Sequence, residues 1–562
     1  MNLGDPMWTA KITEKDLAQD PLAMDRVRNR LVSDLLPGIT TISPRPRYYA
    51  HHLWAVMDIA RRDDPSTRAE FNRGMYRRER LLMLAAVAHS METHISPRNH
   101  DQIVGIRSGS KQLRNGNDAI PLDFRFVDHR GGSYGRDYRA SLRTMGLVYR
   151  PDGDPCDRLS ERGKPIASAY DQLARELSLH ELAAEESISV AEIEGLADDL
   201  CLCAVCADNA PDRAPLRDAF FGWETASESG NPAQRRAQSL QLILQFAQYI
   251  EQEDGDSLSP SEFLDFCYYR TLTTESGQIS VDIPEKLSQQ QARWKVLRAH
   301  DYFAYATEVV LVGWLEYLER KSPEPGTVAT YIDEVRSPSV MAQLGAVLDR
   351  PSLDETTPLE SMLTDLWSRE AVTWLIEGAE ISPTVPFSHT TREHVLDREL
   401  TAALSAGNWV NVHSLWPCIL LAVVLRFGNP TGQTESAWQW LASRTRSDLS
   451  PARLRIDIKE HLRNDSTIGD FLEWFIKQYV IRQAEEVRRD KAKAATQFKG
   501  WFEQEGTGWV QTRTHSARHW SARFDSAVSV LRDLSLLDPD PTIVSVTAAG
   551  AAAIAHPTTE DK

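Results

Sequence analysis

Three small groups of residues in this chain have types and spacings that could support chemistry. Arg47 and His52 flank Tyr48, Tyr49, Ala50 and His51. An Arg–His pair little more than one helical turn apart can engage a ribose 2′-hydroxyl and its phosphate. His89, His94, His100 and Asp101 mix imidazole with carboxylate, the donor set of a hydrolytic divalent ion, provided His51 or His52 converges on His89 and Asp101. Cys201, Cys203 and Cys206, with His180 or Cys156 as a fourth ligand, have the donor types of a zinc site.

Each group has a plainer reading. The histidines lack the paired His-Asp spacing of metal-dependent hydrolases and read as polar helix ends and a loop. In a continuous helix Cys201 and Cys203 project about 200° apart, so they are expected to pack as small apolar side chains. No G-x-x-x-x-G-K-S/T loop and no G-x-G-x-x-G after a strand is present. The sequence thus predicts no catalytic residue, no metal ligand and no cofactor.

The scaffold that must position any site is large. At 562 residues the chain exceeds one ordinary core, and roughly three or four domains are expected. The 15 Trp and 42% hydrophobic content mark a folded chain. Residues 1–17 carry no secretory pattern, and the apolar run Leu415–Phe427 is shorter than the roughly 18 residues that span a bilayer, so a cytoplasmic protein without a membrane partner is expected. Six scattered cysteines are then reduced thiols. Net charge is −17, yet the first 180 residues hold 28 Lys and Arg against 23 Asp and Glu, which places any anion-facing surface mainly in the first third.

Along the chain, residues 1–110 read as a helical region broken at Pro37-Gly38 and Pro44 to Pro46, with Arg77–His94 amphipathic. Residues 105–135 read as irregular. Residues 111–180 form a candidate module, 181–440 a helical middle domain without useful strand alternation, and 441–562 a helical segment plus a C-terminal module. Ile468, Phe471, Leu472, Phe475, Ile476, Tyr479 and Val480 follow helical spacing behind Asp465 or Ser466 as a cap.

Two distant stretches share one pattern. In Ser141–Leu173 an apolar helix end stops at Gly146, Leu147-Val148-Tyr149 starts a strand, PDGDPCD turns, Arg158-Leu159 returns, and Ser160 is expected to cap a closing helix. In Arg523–Ala555 the leucines Leu531, Leu534 and Leu537 end a helix, Ile543, Val544 and Val546 alternate, and Thr547 opens a helix with Gly550 three residues on. The first stretch, through Gly146-Leu147-Val148, Arg150, Asp157-Arg158 and Leu159 to Gly163, resembles the wing and following helix of MarR-type winged-helix regulators. That resemblance covers about 35 residues. It implies two winged-helix-like modules with small β-hairpin wings in a mainly α, multidomain protein.

Arginines cluster on both stretches. The resulting expectation is a nucleic-acid-binding surface, DNA favoured, carried by Arg136, Arg139, Arg143, Arg150, Arg158 and Arg162, and by Arg513, Arg518 and Arg523. The chain is similar in architecture to accessory subunits of prokaryotic DNA-modification or anti-phage defence systems, which implies a non-catalytic role beside other protein subunits. Two alternatives stay open. One is a kleisin-like protein scaffold. The other is a ribonuclease using Arg47 and His52, since Arg47-Tyr-Tyr-Ala-His-His52 resembles the Arg-x4-His motif of helical HEPN nucleases, with Tyr48 where those have a polar residue. Asp457-Ile458-Lys459 resembles the acid–lysine element of restriction-type nucleases but lacks the acidic strand before it.

Overall fold

The computed structural model describes residues 20–92, 100, 102–115, 118–222, 231–253, 255, 257–274, 277–366, 393–427, 432–445, 448–494 and 498–556. The fold is mainly helical. Among the described residues the strands form four two-stranded antiparallel sheets: Ala119–Pro121 with Ser187–Ser189, Val148–Tyr149 with Arg158–Leu159, Thr271–Thr274 with Gly277–Ser280, and Phe502–Glu505 with Gly508–Gln511.

The chain divides into two compact units, each assembled from separate stretches. One comprises Met1–Leu31, Cys267–Tyr269 and Gln291–Trp520, and the other Val32–Phe266, Arg270–Gln290 and Ser521–Lys562.

In the second unit the helix Pro46–Arg62 is the core element. Pro46 starts it, where a missing N–H costs nothing, and every residue from Pro46 to Ile59 is buried. Several of its buried polar groups meet side chains that sequence spacing does not reveal. Asp58 accepts from Arg78 Nε at 2.8 Å and lies 2.8 Å from His180 Nδ1, Trp54 Nε1 donates to Asp171 at 3.2 Å, and His51 Nδ1 lies 3.1 Å from the Tyr170 hydroxyl. These contacts join it to the helices Arg68–Glu92 and Lys164–Glu176. Residues 105–135, expected to be irregular, contain the helix Ile106–Arg114 and the strand Ala119–Pro121.

The first unit is built round the helix Trp409–Arg426, in which every residue from Val412 to Leu425 is buried while Val410 is exposed near its start. The heptad-like positions from Ile468 to Val480 are all buried, as their spacing predicts. The cap is Thr467, not Asp465 or Ser466: Thr467 and Asp470 form a reciprocal capping box, while Asp465 takes a positive φ of 50°. The hairpins at 271–280 and 502–511 were not expected from the sequence, because four-residue strands carry too little alternation to register.

Candidate nucleic-acid interface and a histidine–cysteine cluster

The repeated pattern is one hydrogen-bonding motif made twice in the second unit. In the first copy Gly146 ends the helix Arg139–Thr144 with a φ of 68°, and in the second Ser535 follows the helix Phe524–Asp533 with a φ of 54°. The next residue's carbonyl receives the returning chain: Ser160 N–H donates to Leu147 O at 3.0 Å, and Thr547 N–H to Leu536 O at 3.2 Å. Ser160 Oγ donates to Gly146 O at 2.6 Å and accepts Gly163 N–H at 3.2 Å. Thr547 Oγ1 donates to Ser535 O at 2.8 Å and accepts Gly550 N–H at 3.1 Å. Gly163 and Gly550 then press against the Leu147 and Leu536 carbonyls so closely that a Cβ on either would collide with the oxygen.

The loops between differ. In the first copy a two-residue ladder pairs Val148 with Leu159 and Tyr149 with Arg158. In the second a single bridge joins Leu537 and Val546, and Arg532 turns inward to donate to the carbonyls of Asp538 and Ile543.

Most of the arginines expected to face a polyanion have internal partners. Asp157, with a fully buried side chain, accepts from Arg139 Nε and Nη2 at 2.7 and 3.0 Å, from Arg143 Nη2 at 2.8 Å, from Arg68 Nη1 at 3.3 Å and from the Tyr134 hydroxyl at 2.9 Å. Burial alone would raise this carboxyl, but the Arg139 fork and the other donors outweigh it and hold it down at about 2. Arg136 forks onto neighbouring Asp137 at 2.6 and 2.8 Å. Arg162 donates to Met145 O at 3.1 Å, satisfying a helix-terminal carbonyl.

At the hairpin tip Asp154 organises the turn. It accepts Cys156 N–H at 2.8 Å and Arg158 Nε at 2.8 Å, while its carbonyl accepts Arg150 Nε at 2.8 Å. Tyr149, 52% exposed, and Arg150 stand at the solvent-facing end of the ladder.

The C-terminal arginines do not form one patch. Arg523 belongs to the second unit and donates to Ile39 O and Ser33 Oγ, both at 3.0 Å. Arg513 and Arg518 belong to the first, where Arg513 lies over the Phe498 ring and Arg518 pairs with Asp25 at 3.1 Å. His519 in that unit bridges Asp301 and Asp397 at 3.2 Å each. A cleft of about 280 Å³ beside them is lined by Asp20, Asp25 and Glu308 as well as His515 and Arg518, so carboxylates outnumber basic side chains there.

The Arg47–His52 pair is sealed from solvent. Arg47, 1% exposed, donates to Cys201 O at 3.0 Å and lies 3.7 Å from Asp212, and His52 is fully buried, which holds its pKa well below the usual value. Asp457 accepts from Tyr479 and Arg453.

The cysteines depart most from expectation. A Ser189–Glu192 capping box starts the helix Val190–Leu200, but the helix stops there: Cys201 has φ −54° and ψ 149°, and a 3-10 turn covers Leu202–Cys206. The 200° divergence therefore does not apply, and Cys201 and Cys203 place their sulfurs 3.4 Å apart. The partners are not His180 or Cys156. They are His89, near the end of the helix Arg68–Glu92, and His100; one ligand atom from each of the four residues lies within 4.8 Å of all the others. Within the cluster His89 Nδ1 is 3.0 Å from His100 Nε2 and 3.5 Å from Cys203 Sγ. The Cys201 hydrogen bond, with help from His100 and His89, pulls the Cys203 thiol far below its usual range, and the same bond together with burial pushes Cys201 up. His94 and Asp101 lie outside the described residues.

No protein-family model, no curated protein and no solved structure matches this chain.

Proposed function

We propose that this chain is a non-catalytic nucleic-acid-binding subunit of a multiprotein assembly, with DNA the favoured polymer, and that the segment around residues 139–162 is a winged-helix-like reader. The observation that carries this reading is the hairpin tip, where exposed Tyr149 and Arg150 stand beside partly exposed Arg158, the cross-strand partner of Tyr149. An aromatic ring next to guanidinium groups can stack on a base or sugar while the guanidinium meets a phosphate. Asp157 supports the reading in a different way: it directly precedes Arg158 at the turn end of the ladder and ties that end to Arg139 and Arg143 of the preceding helix.

The second copy of the motif favours protein docking. Its loop exposes Ile543 at 44%, and its nearest arginine, Arg532, is occupied by backbone carbonyls. Other subunits of the assembly are its natural partners.

Fluorescence anisotropy with duplex DNA across a salt series tests the reading. Tyr149→Ala with Arg150→Glu should weaken binding about tenfold or more and flatten the salt slope by about one contact. Arg139 and Arg143 are unsuitable test positions because both also hold Asp157. Wild-type affinity in the double variant would refute this interface.

A further inference from the structure

Four features of the His89, His100, Cys201 and Cys203 cluster point to a ligand. The first is donor chemistry: two thiols and two imidazoles are the set that selects zinc among the common divalent ions. The second is spacing. A tetrahedral zinc with bonds of about 2.3 Å to sulfur and 2.0 Å to nitrogen sets its ligand atoms about 3.3 to 3.8 Å apart. Here the sulfurs are 3.4 Å apart and His89 Nδ1 is 3.5 Å from Cys203 Sγ, with every pair inside 4.8 Å. A two-iron cluster would spread its ligand pairs further than that.

The third feature is the outer contact. His89 Nε2 lies 3.3 Å from Asp198 Oδ1, so Nε2–H donates to the carboxylate, which fixes the tautomer and leaves the Nδ1 lone pair facing the other three ligands. The fourth is burial: His89, Cys201 and Cys203 are 5%, 0% and 1% exposed, and His100 is half-buried. Two thiolates around a dication leave no net charge to desolvate, which suits so enclosed a place.

We propose that His89, His100, Cys201 and Cys203 bind one zinc ion in a closed, structural site. Binding displaces the two thiol protons and forms two zinc–sulfur and two zinc–nitrogen bonds, so all four positions are filled by protein and none is left for substrate water. The ion would tie the end of the helix Arg68–Glu92 and the residue at 100 to the 3-10 turn after Leu200. Cys201 O also accepts from Arg47, so the same staple reaches the core helix Pro46–Arg62. This inference does not depend on the nucleic-acid reading.

The test uses the full chain, purified reduced from zinc-supplemented culture and then stripped and refilled with Co2+. About one zinc per chain by elemental analysis is expected. The cobalt form should show intense tetrahedral d–d bands with thiolate charge transfer, and Cys203→Ser should lose much of the charge-transfer intensity. Asp198→Asn, at an exposed position off the ligand set, should weaken zinc about tenfold or more. A folded, reduced chain that takes up neither ion overturns the site, as does the weak absorption of octahedral cobalt. Because the cobalt spectrum of the unaltered protein decides between these, the test holds even if Cys203→Ser fails to fold.

Discussion

Ser160 and Thr547 make the same three hydrogen bonds at two places in the chain, each closing a loop onto the residue that follows a helix end and each receiving the N–H of a glycine three positions on. The side chain and the glycine act together, since the hydroxyl sets the turn and the missing Cβ lets it approach the carbonyl.

Gly163→Ala and Gly550→Ala should therefore each destabilise the protein by about 1 to 3 kcal/mol, because the added methyl meets backbone oxygen rather than a side chain that could swing away. Gly153→Ala at the hairpin tip meets nothing within 4 Å and serves as a spatial control, though its φ of 77° also disfavours alanine. Denaturant midpoints check this, and equal midpoints for Gly550→Ala and the unaltered chain would contradict the close approach.

Thr547→Val removes the acceptor for Gly550 N–H and the donor to Ser535 O while keeping shape. A loss of about 1 kcal/mol is expected, with Thr547→Ser close to neutral.

Asp157→Asn should cost about 2 to 3 kcal/mol, since the amide cannot accept the Arg139 fork at both atoms. The charge also makes an acid-side prediction. With its folded pKa depressed to about 2 from 3.8, Asp157 contributes stability that is fully present above pH 3.8 and is lost as pH falls through about 2. A stability–pH curve of the Asn variant should be flatter in that window.

His519 works at the other end of the scale. Burial opposes its protonation, but hydrogen bonds from its ring to Asp301 and Asp397 outweigh burial and raise it to about 9 from 6.5. Its contribution is thus complete below pH 6.5 and disappears as pH rises through about 9. His519→Gln should remove that alkaline loss, measured by urea unfolding at pH 6, 7.5 and 9.5, and an unchanged slope would rule out the charged bridge.

What could be read from the sequence follows how local each signal is. Gly146, Thr547 and Gly550 were legible because a positive φ, a hydroxyl cap and a glycine are demands the chain meets within a few residues, whereas Ser160, expected to cap the closing helix, holds the turn before it and Gly163 stands at the N-cap. The seam from Ile468 to Val480 was legible through its period. The partner of Arg139 and Arg143 was not, because pairing with Asp157 depends on where the hairpin returns, and that converts an apparent anion-facing surface into an internal clasp. The histidine–cysteine cluster was hidden for a related reason. Its members come from separate segments, and nothing in ADDLCLCAVC marks the end of the helix at Leu200. A C-x-C pair directly after a well-capped helix is the one hint that was available.

The unit that begins at Val32 is completed by Ser521–Lys562. On the ribosome, Pro46–Arg62 and its neighbours must then wait for Asp533, 488 residues beyond Arg45, to arrive and meet it at 2.7 Å in a buried pair. Such long-range closure slows maturation and leaves early intermediates exposed to chaperones and proteases. A premature stop codon upstream of residue 521 would consequently abolish a unit whose other segments all lie before residue 291.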